Sequence, residues 1–255
     1  ENIFYGEDNF LYGAELSKLI EMTESKTKGI VSFRNDLTID RLRPYIGDDL
    51  LNEVYVVPDP GLYITKTKNK HPLIRNDKIN IILQLSGDRL DKRLSVAHGF
   101  DLGEAKKSFV SQTLDAIEKI ASKLSINVII APHIPSDYSI VMEIIKNASE
   151  RKYGTSALIR ELFDINLCTR GYKQASDFLG LYSQADLAIV TRGHGTICNA
   201  GLGTPFIAID THPKASGFMR DFGLEDYLIA PSDKNFSSKL HTMALDLISN
   251  NSIWM

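Results

Sequence analysis

Six consecutive residues, Thr191-Arg192-Gly193-His194-Gly195-Thr196, gather an arginine, a histidine and two glycines. An arginine offers a planar fork of N–H donors that matches a phosphate or carboxylate. A histidine exchanges a proton near neutral pH. Glycines let a ligand approach the backbone closely. The apolar run 186–191 reads as a strand, and the small residues from Gly195 to Leu202 read as the start of a helix. Amide groups and the dipole at such a helix start attract an anion. Together these features suit an anionic substrate undergoing acid–base chemistry. The competing reading is a surface arginine and a capping histidine at a glycine-rich turn.

Other strand ends carry similar residue types. The strand at 205–209 runs into Asp210-Thr211-His212-Pro213-Lys214, so the Lys214 ammonium opens the following helix near Arg192, or is simply solvated. The strand at 30–33 ends in Arg34, which either faces a ligand or pairs with Asp36 or Asp40. Ser86-Gly87-Asp88-Arg89 follows the strand at 79–85. Gly87 permits a tight turn, and Asp88 either binds a hydroxyl or pairs with Arg89. His133, after the strand at 127–131, lines the same rim or is a turn histidine held by its neighbours. His71, His98 and His241 look incidental. No His/Cys/Asp cluster has metal-ligand spacing. There is no Walker loop, and no G-x-G-x-x-G follows the first strands, which argues against a nicotinamide site.

The elements that must position these residues are legible from periodicity. Helices are expected at 10–27, 36–46, 104–124, 137–150, 173–184, 195–202, 214–222 and 237–249. Strands are expected at 30–33, 54–57, 79–85, 127–131, 165–168, 186–191 and 205–209. Strands alternating with helices mean βαβ units and a mostly parallel sheet, a doubly wound, Rossmann-like α/β fold. The strands are near-continuous apolar runs, as a sheet covered on both faces requires. Ligands on such sheets bind beyond the carboxyl ends of the strands.

Composition closes off several classes. The 255 residues are 43% hydrophobic and 24% charged, which excludes a disordered chain. No apolar run approaches the roughly 18 residues of a membrane span. With 29 Lys plus Arg against 32 Asp plus Glu, the net charge of −3 gives no support to a nucleic-acid role. Two cysteines, Cys168 and Cys198, are too few for a disulfide framework and are expected to be free thiols. No N-terminal apolar segment marks a signal peptide. Asn147-Ala148-Ser149 fits a glycosylation sequon, a pattern short enough to arise by chance.

The stretch Ser176–Leu224 resembles the C-terminal signature of the polysaccharide pyruvyl transferases. The counterparts run in order: Ala185-Asp186 at a strand start, Arg192-Gly193-His194, Gly203-Thr204-Pro205, Lys214, and Gly217-Phe218. Upstream, Ile30–Asp36 resembles the family's Ser-x-Arg-(Asp/Glu) strand, and Val56-Val57-Pro58-Asp59-Pro60 its Asp-Pro turn. The resemblance spans residues 28–230. It departs at Gly193, where the family carries a bulkier apolar residue, at Asn35 in place of an acid, and at His212 in place of an aromatic.

The resemblance implies a GT-B-like architecture of two Rossmann-like domains. It implies residues 1–29 as the tail of an N-terminal domain that is otherwise missing, 30–74 as a connecting segment, and 75–255 as the donor-binding domain. It implies phosphoenolpyruvate as donor substrate, no cofactor and no metal. A pyruvate ketal is placed on a sugar of a glycan or lipid-linked precursor. His194 is then the general acid/base, Arg192 and Arg34 clamp the anionic groups, and Lys214 stabilises the departing phosphate. Gly195, Thr196, Asp88 and His133 complete the substrate-binding set. A cytoplasmic location follows, at the inner membrane face where the acceptor is lipid-linked. The oligomeric state is left open. Two other readings compete: a GT-B glycosyltransferase or nucleotide-sugar epimerase, and a non-catalytic anion-sensing domain.

Overall fold

The computed structural model describes residues 15–23, 29–34, 38–66, 70–151, 159–162 and 172–250. The strand expected at 165–168, Cys168, Asn35 and Asp36 lie outside these residues. The chain divides into two compact units, residues 1–60 and 61–255.

In the first unit, residues 15–23 form helix α1. Strand β1 (Ser32–Arg34) and strand β2 (Tyr55–Val57) pair in parallel, with Arg34 opposite Val57. Between them lie two short helices, α2 (Thr38–Leu42) and α3 (Asp48–Asn52). The sequence suggests one helix closing at Gly47; instead Gly47 is the N-cap of α3, with an extended backbone. Ile20, Leu42, Ile46, Leu51 and Val54 form this unit's apolar centre.

The second unit is a doubly wound α/β domain. Its strands are β3 (Ile79–Gln84), β4 (Ile126–Ile130), β5 (Ile159–Leu162), β6 (Leu187–Val190), β7 (Phe206–Ile209) and β8 (Leu228–Ile229). They form one sheet in the order β5-β4-β3-β6-β7-β8, and every pair is parallel. Numbered within the unit, that is 3-2-1-4-5-6, the arrangement whose strand order reverses between β3 and β6.

The period of two along each strand sorts side chains between the layers. Ile81, Leu83, Val128, Ile130, Ile189 and Ile207 face one layer, against α5 (Ala105–Ala121), α6 (Tyr138–Glu150) and α10 (Phe236–Ser249). Ile82, Ile129, Ala188, Val190 and Ala208 face the other, against α7 (Tyr172–Ser183), α8 (Gly193–Leu202) and α9 (Pro213–Asp221). Each fully buried Ile or Leu contributes about 1.5–3 kcal/mol of transfer free energy. Helix α4 (Leu90–His98) precedes α5 and was not expected, because only Leu90 and Leu94 are buried along it.

The two polar interruptions of the β3 run sit at opposite ends of the strand. Asn80 receives an N–H from Asn127 on β4 at 3.1 Å. It donates its backbone and side-chain N–H to Asp186 at 2.7 and 3.1 Å. These bonds fix the register of β4, β3 and β6 at their amino ends. Gln84 does the corresponding work at the carboxyl ends, beside the site described below.

Asn147 of the sequon is buried in α6 and accepts a hydrogen bond from Arg151 at 3.1 Å, so that pattern lies on a packed face. No helix among the described residues is long and apolar enough to cross a membrane.

Candidate active site at the strand crossover

The crevice rule for open α/β sheets selects the carboxyl ends of β3 and β6, where the strand order reverses. The Gln84 side-chain oxygen there accepts from the backbone N–H groups of Thr191 and Arg192, at 3.2 and 3.1 Å. Thr191 receives the Ser86 N–H at 2.6 Å. The two strand ends are thereby tied together just before α8 begins. Arg192 is the N-cap of α8 in an extended backbone, and its own side chain does not cap the helix. His194, two residues on, is exposed.

Gly195 and Thr196 are buried against this junction. A Cβ on Gly195 would lie 3.1 Å from the Val190 Cβ and 3.3 Å from the Gln84 side-chain oxygen, so α8 seats closely against the strands at this glycine. The Thr196 hydroxyl donates to the Arg192 carbonyl at 3.0 Å. These two residues pack the helix onto the strands instead of presenting side chains to a ligand.

Arg192 lies against Asp137, a residue the sequence reading missed. The Asp137 side chain has no exposed surface, and its carboxylate collects five N–H donors. Arg192 donates through Nε at 3.0 Å and Nη2 at 2.5 Å. The backbone amides of Gly87, His133 and Ile134 donate at 3.0, 2.9 and 3.2 Å. Burial pushes the Asp137 carboxyl up. The Arg192 guanidinium, with the Gly87 and His133 amides, outweighs that and holds it below its ordinary value.

His133, after β4, is partly buried between Phe178 and Tyr182, with ring centroids 4.7 and 5.7 Å away. Its Nε2 shares a hydrogen bond with the Tyr182 hydroxyl at 2.8 Å. Burial drives its pKa from 6.5 down to about 3; Asp137 opposes, and the charges of Arg192 and His194 reinforce the shift. His133 is therefore a neutral ring at pH 7. Burial likewise raises the Tyr182 hydroxyl, with Cys198 and Asp137 adding to it. Cys198 forms no disulfide among the described residues.

Lys214 is the second residue of α9, which His212 caps by accepting the Lys214 N–H at 3.1 Å. A Cβ placed on Gly193 would lie 3.7 Å from the Lys214 Cβ, so Lys214 neighbours the Arg192–His194 turn. Asp88 follows Gly87, whose amide donates to Asp137, but its ion-pair partner is Arg93, at 3.0 Å, rather than Arg89. Arg89 instead takes a left-handed backbone at φ 49° to start α4. Thus the structure brings His133, Arg192, His194 and Lys214 to one rim, with Asp88 beside it. Arg34 ends β1 in the first unit, and its side chain lies outside the described residues.

The His133 and Asp137 environments make the fold acid-sensitive. Between pH 6.5 and 3 the unfolded chain binds a proton at His133 that the native state excludes. That contribution is complete above about pH 6.5 and is lost as pH falls toward 3. The lowered Asp137 carboxyl acts in the same sense below its ordinary value of 3.8. The melting temperature is expected to fall progressively from pH 7 to pH 4, and His133→Gln to flatten that slope. Equal slopes in the two proteins would refute this assignment.

The family model described as polysaccharide pyruvyl transferase matches residues 10–213. A comparison with curated proteins returned no match. Among solved structures, one described as a UDP-N-acetylglucosamine 2-epimerase from Listeria monocytogenes superposes with a TM-score of 0.52 at 13% identity. That alignment covers 97% of this chain and 64% of the other. A UDP-forming α,α-trehalose-phosphate synthase from Burkholderia vietnamiensis gives 0.48 at 12% identity, covering 98% and 61%. The chain therefore spans less than two thirds of either structure's length. At such identity the first likeness speaks to the fold alone, a GT-B-type α/β architecture.

Proposed function

Because the chain belongs to the polysaccharide pyruvyl transferase family, we propose that it takes phosphoenolpyruvate at the rim formed by β3, β4, β6 and β7 and supplies its pyruvyl group as a ketal to a sugar. The observation that carries this reading is Arg192, anchored by a buried carboxylate at the start of α8, beside an exposed histidine and a lysine. A small anion with both a phosphate and a carboxylate needs such a set of donors, held in place before it binds.

The roles follow from the chemistry of the donor. His194 gives a proton to the methylene carbon, which becomes a methyl group and leaves positive charge on the carbon bearing the phosphate ester. A sugar hydroxyl adds to that carbon, and its proton passes to a phosphate oxygen, so that the leaving group is hydrogen phosphate. The carbon–oxygen bond to phosphate then breaks, and its electron pair leaves on the phosphate. A second hydroxyl of the sugar adds to the same carbon, closing the ketal and returning a proton to the histidine. Arg192 orients the bound anion, and Lys214 stabilises the charge on the phosphate as it departs. A dedicated general acid of this kind contributes about 10²–10⁴-fold.

The discriminating experiment is a melting curve with added ligand. Phosphoenolpyruvate at about 100 times its Kd stabilises the native state by about 2.7 kcal/mol, a rise of roughly 5–10 °C for a chain of this size. UDP and UDP-sugars are expected to leave the melting temperature unchanged. A rise with UDP and none with phosphoenolpyruvate would assign the site to nucleotide-sugar chemistry instead.

A further inference from the structure

Asp137 spends its whole carboxylate on five donors drawn from three parts of the fold: the turn after β3, the turn after β4 and the start of α8. Arg192 is 19% exposed, and its guanidinium gives Asp137 the edge made by Nε and Nη2. Nη1 makes no hydrogen bond among the described residues. The fork is planar, so gripping one edge fixes the direction of the other. A free arginine side chain would lose rotamer freedom on binding a ligand; here that loss is taken during folding.

Resting on the reading proposed above, we infer that Asp137 is a positioning residue for the donor site. Its buried carboxylate turns the Nη1–Nη2 edge of Arg192 toward the ligand as a bidentate receptor for a carboxylate or phosphate group. The pair carries no net charge. Recognition at this point depends on the direction of N–H donors rather than on local positive potential, and a lysine ammonium cannot reproduce it.

The test measures the affinity of the wild-type chain, Asp137→Asn, Arg192→Lys and the double variant for phosphoenolpyruvate, inorganic phosphate and UDP. Each single variant is expected to bind phosphoenolpyruvate about 10- to 100-fold more weakly, the range for hydrogen bonds to charged groups. The double variant is expected to lose no more than Arg192→Lys alone, because Asp137 acts only through the fork. Losses that multiply would overturn the inference. Asp137→Asn places an NH2 group among N–H donors and risks the fold; Arg192→Lys leaves Asp137 and its three backbone amides in place. Wild-type affinity in a folded Arg192→Lys protein would overturn the inference by itself. Wild-type binding of phosphate or UDP without phosphoenolpyruvate would overturn the proposed function, while the coupling measured with the bound anion still decides the role of Asp137. No binding of any of the three would overturn both.

Discussion

On the proposed reading, replacing His194 by alanine is expected to slow ketal formation by about 10²–10⁴-fold and to leave the fold almost untouched. The size follows from its role: a positioned general acid removes about 3–5 kcal/mol from the barrier to protonating a carbon. The selectivity follows from its position. His194 is exposed at the second residue of α8 and belongs to neither apolar cluster. Surface substitutions of that kind usually change stability by less than about 0.5 kcal/mol, or roughly 2 °C in melting temperature. Donor affinity is also expected to hold, because Arg192 and Lys214 supply the counter-charge. The measurement is phosphate release with a sugar acceptor, alongside a melting curve and a phosphoenolpyruvate titration. A folded His194→Ala protein with near-normal turnover would remove the residue from the mechanism.

The rim around His194 was legible in the sequence to the extent that local pattern carries it. Near-continuous apolar runs located β3, β4, β6 and β7, and the glycines after β6 marked the turn into α8. A doubly wound sheet then sends every strand end to one side, so Arg192, His194, Lys214, Asp88 and His133 could be gathered without coordinates. Asp137 could not. It reads as the first residue of the helix expected at 137–150, and its partners are 50 and 55 residues away in Gly87 and Arg192. Only the adjacency of β4, β3 and β6 makes those separations short. Gln84 was hidden for the same reason, as a polar break in a strand whose partner amides lie 107 and 108 positions on. Asp88 shows the opposite failure. The neighbouring Arg89 looked like its partner, but a left-handed Arg89 starts α4, which brings Arg93 round instead. Short-range pairing held where a helix or strand fixed the spacing and failed where a backbone reversal intervened.

The same long-range contacts make Gly87 intolerant of even one added methyl group. A Cβ at residue 87 would overlap the Ser136 carbonyl oxygen, crowd the Ser139 hydroxyl and stand 3.1 Å from the Asp137 Cα. A hydroxyl can rotate away. The backbone of 136 and 137 cannot shift freely, because Asp137 is held by five hydrogen bonds and the Gly87 amide is one of the donors. Overpacking against fixed atoms costs about 1–3 kcal/mol. Pulling a donor from a buried carboxylate adds about 1–3 kcal/mol. Gly87→Ala is thus expected to lower the melting temperature by roughly 5–15 °C and to weaken phosphoenolpyruvate binding by disturbing the carboxylate that anchors Arg192. Two controls separate strain from site geometry. Gly201→Ala drives a Cβ onto the backbone of Gly61 and Leu62, 2.9 Å from the Leu62 Cα, and should lose comparable stability with less effect on affinity. Gly193→Ala meets only the Lys214 Cβ at 3.7 Å and should melt within about 2 °C of wild type. If Gly87→Ala melts like Gly193→Ala, the turn after β3 is more compliant than its contacts require, and the five-donor cage around Asp137 is not what keeps the strand ends together.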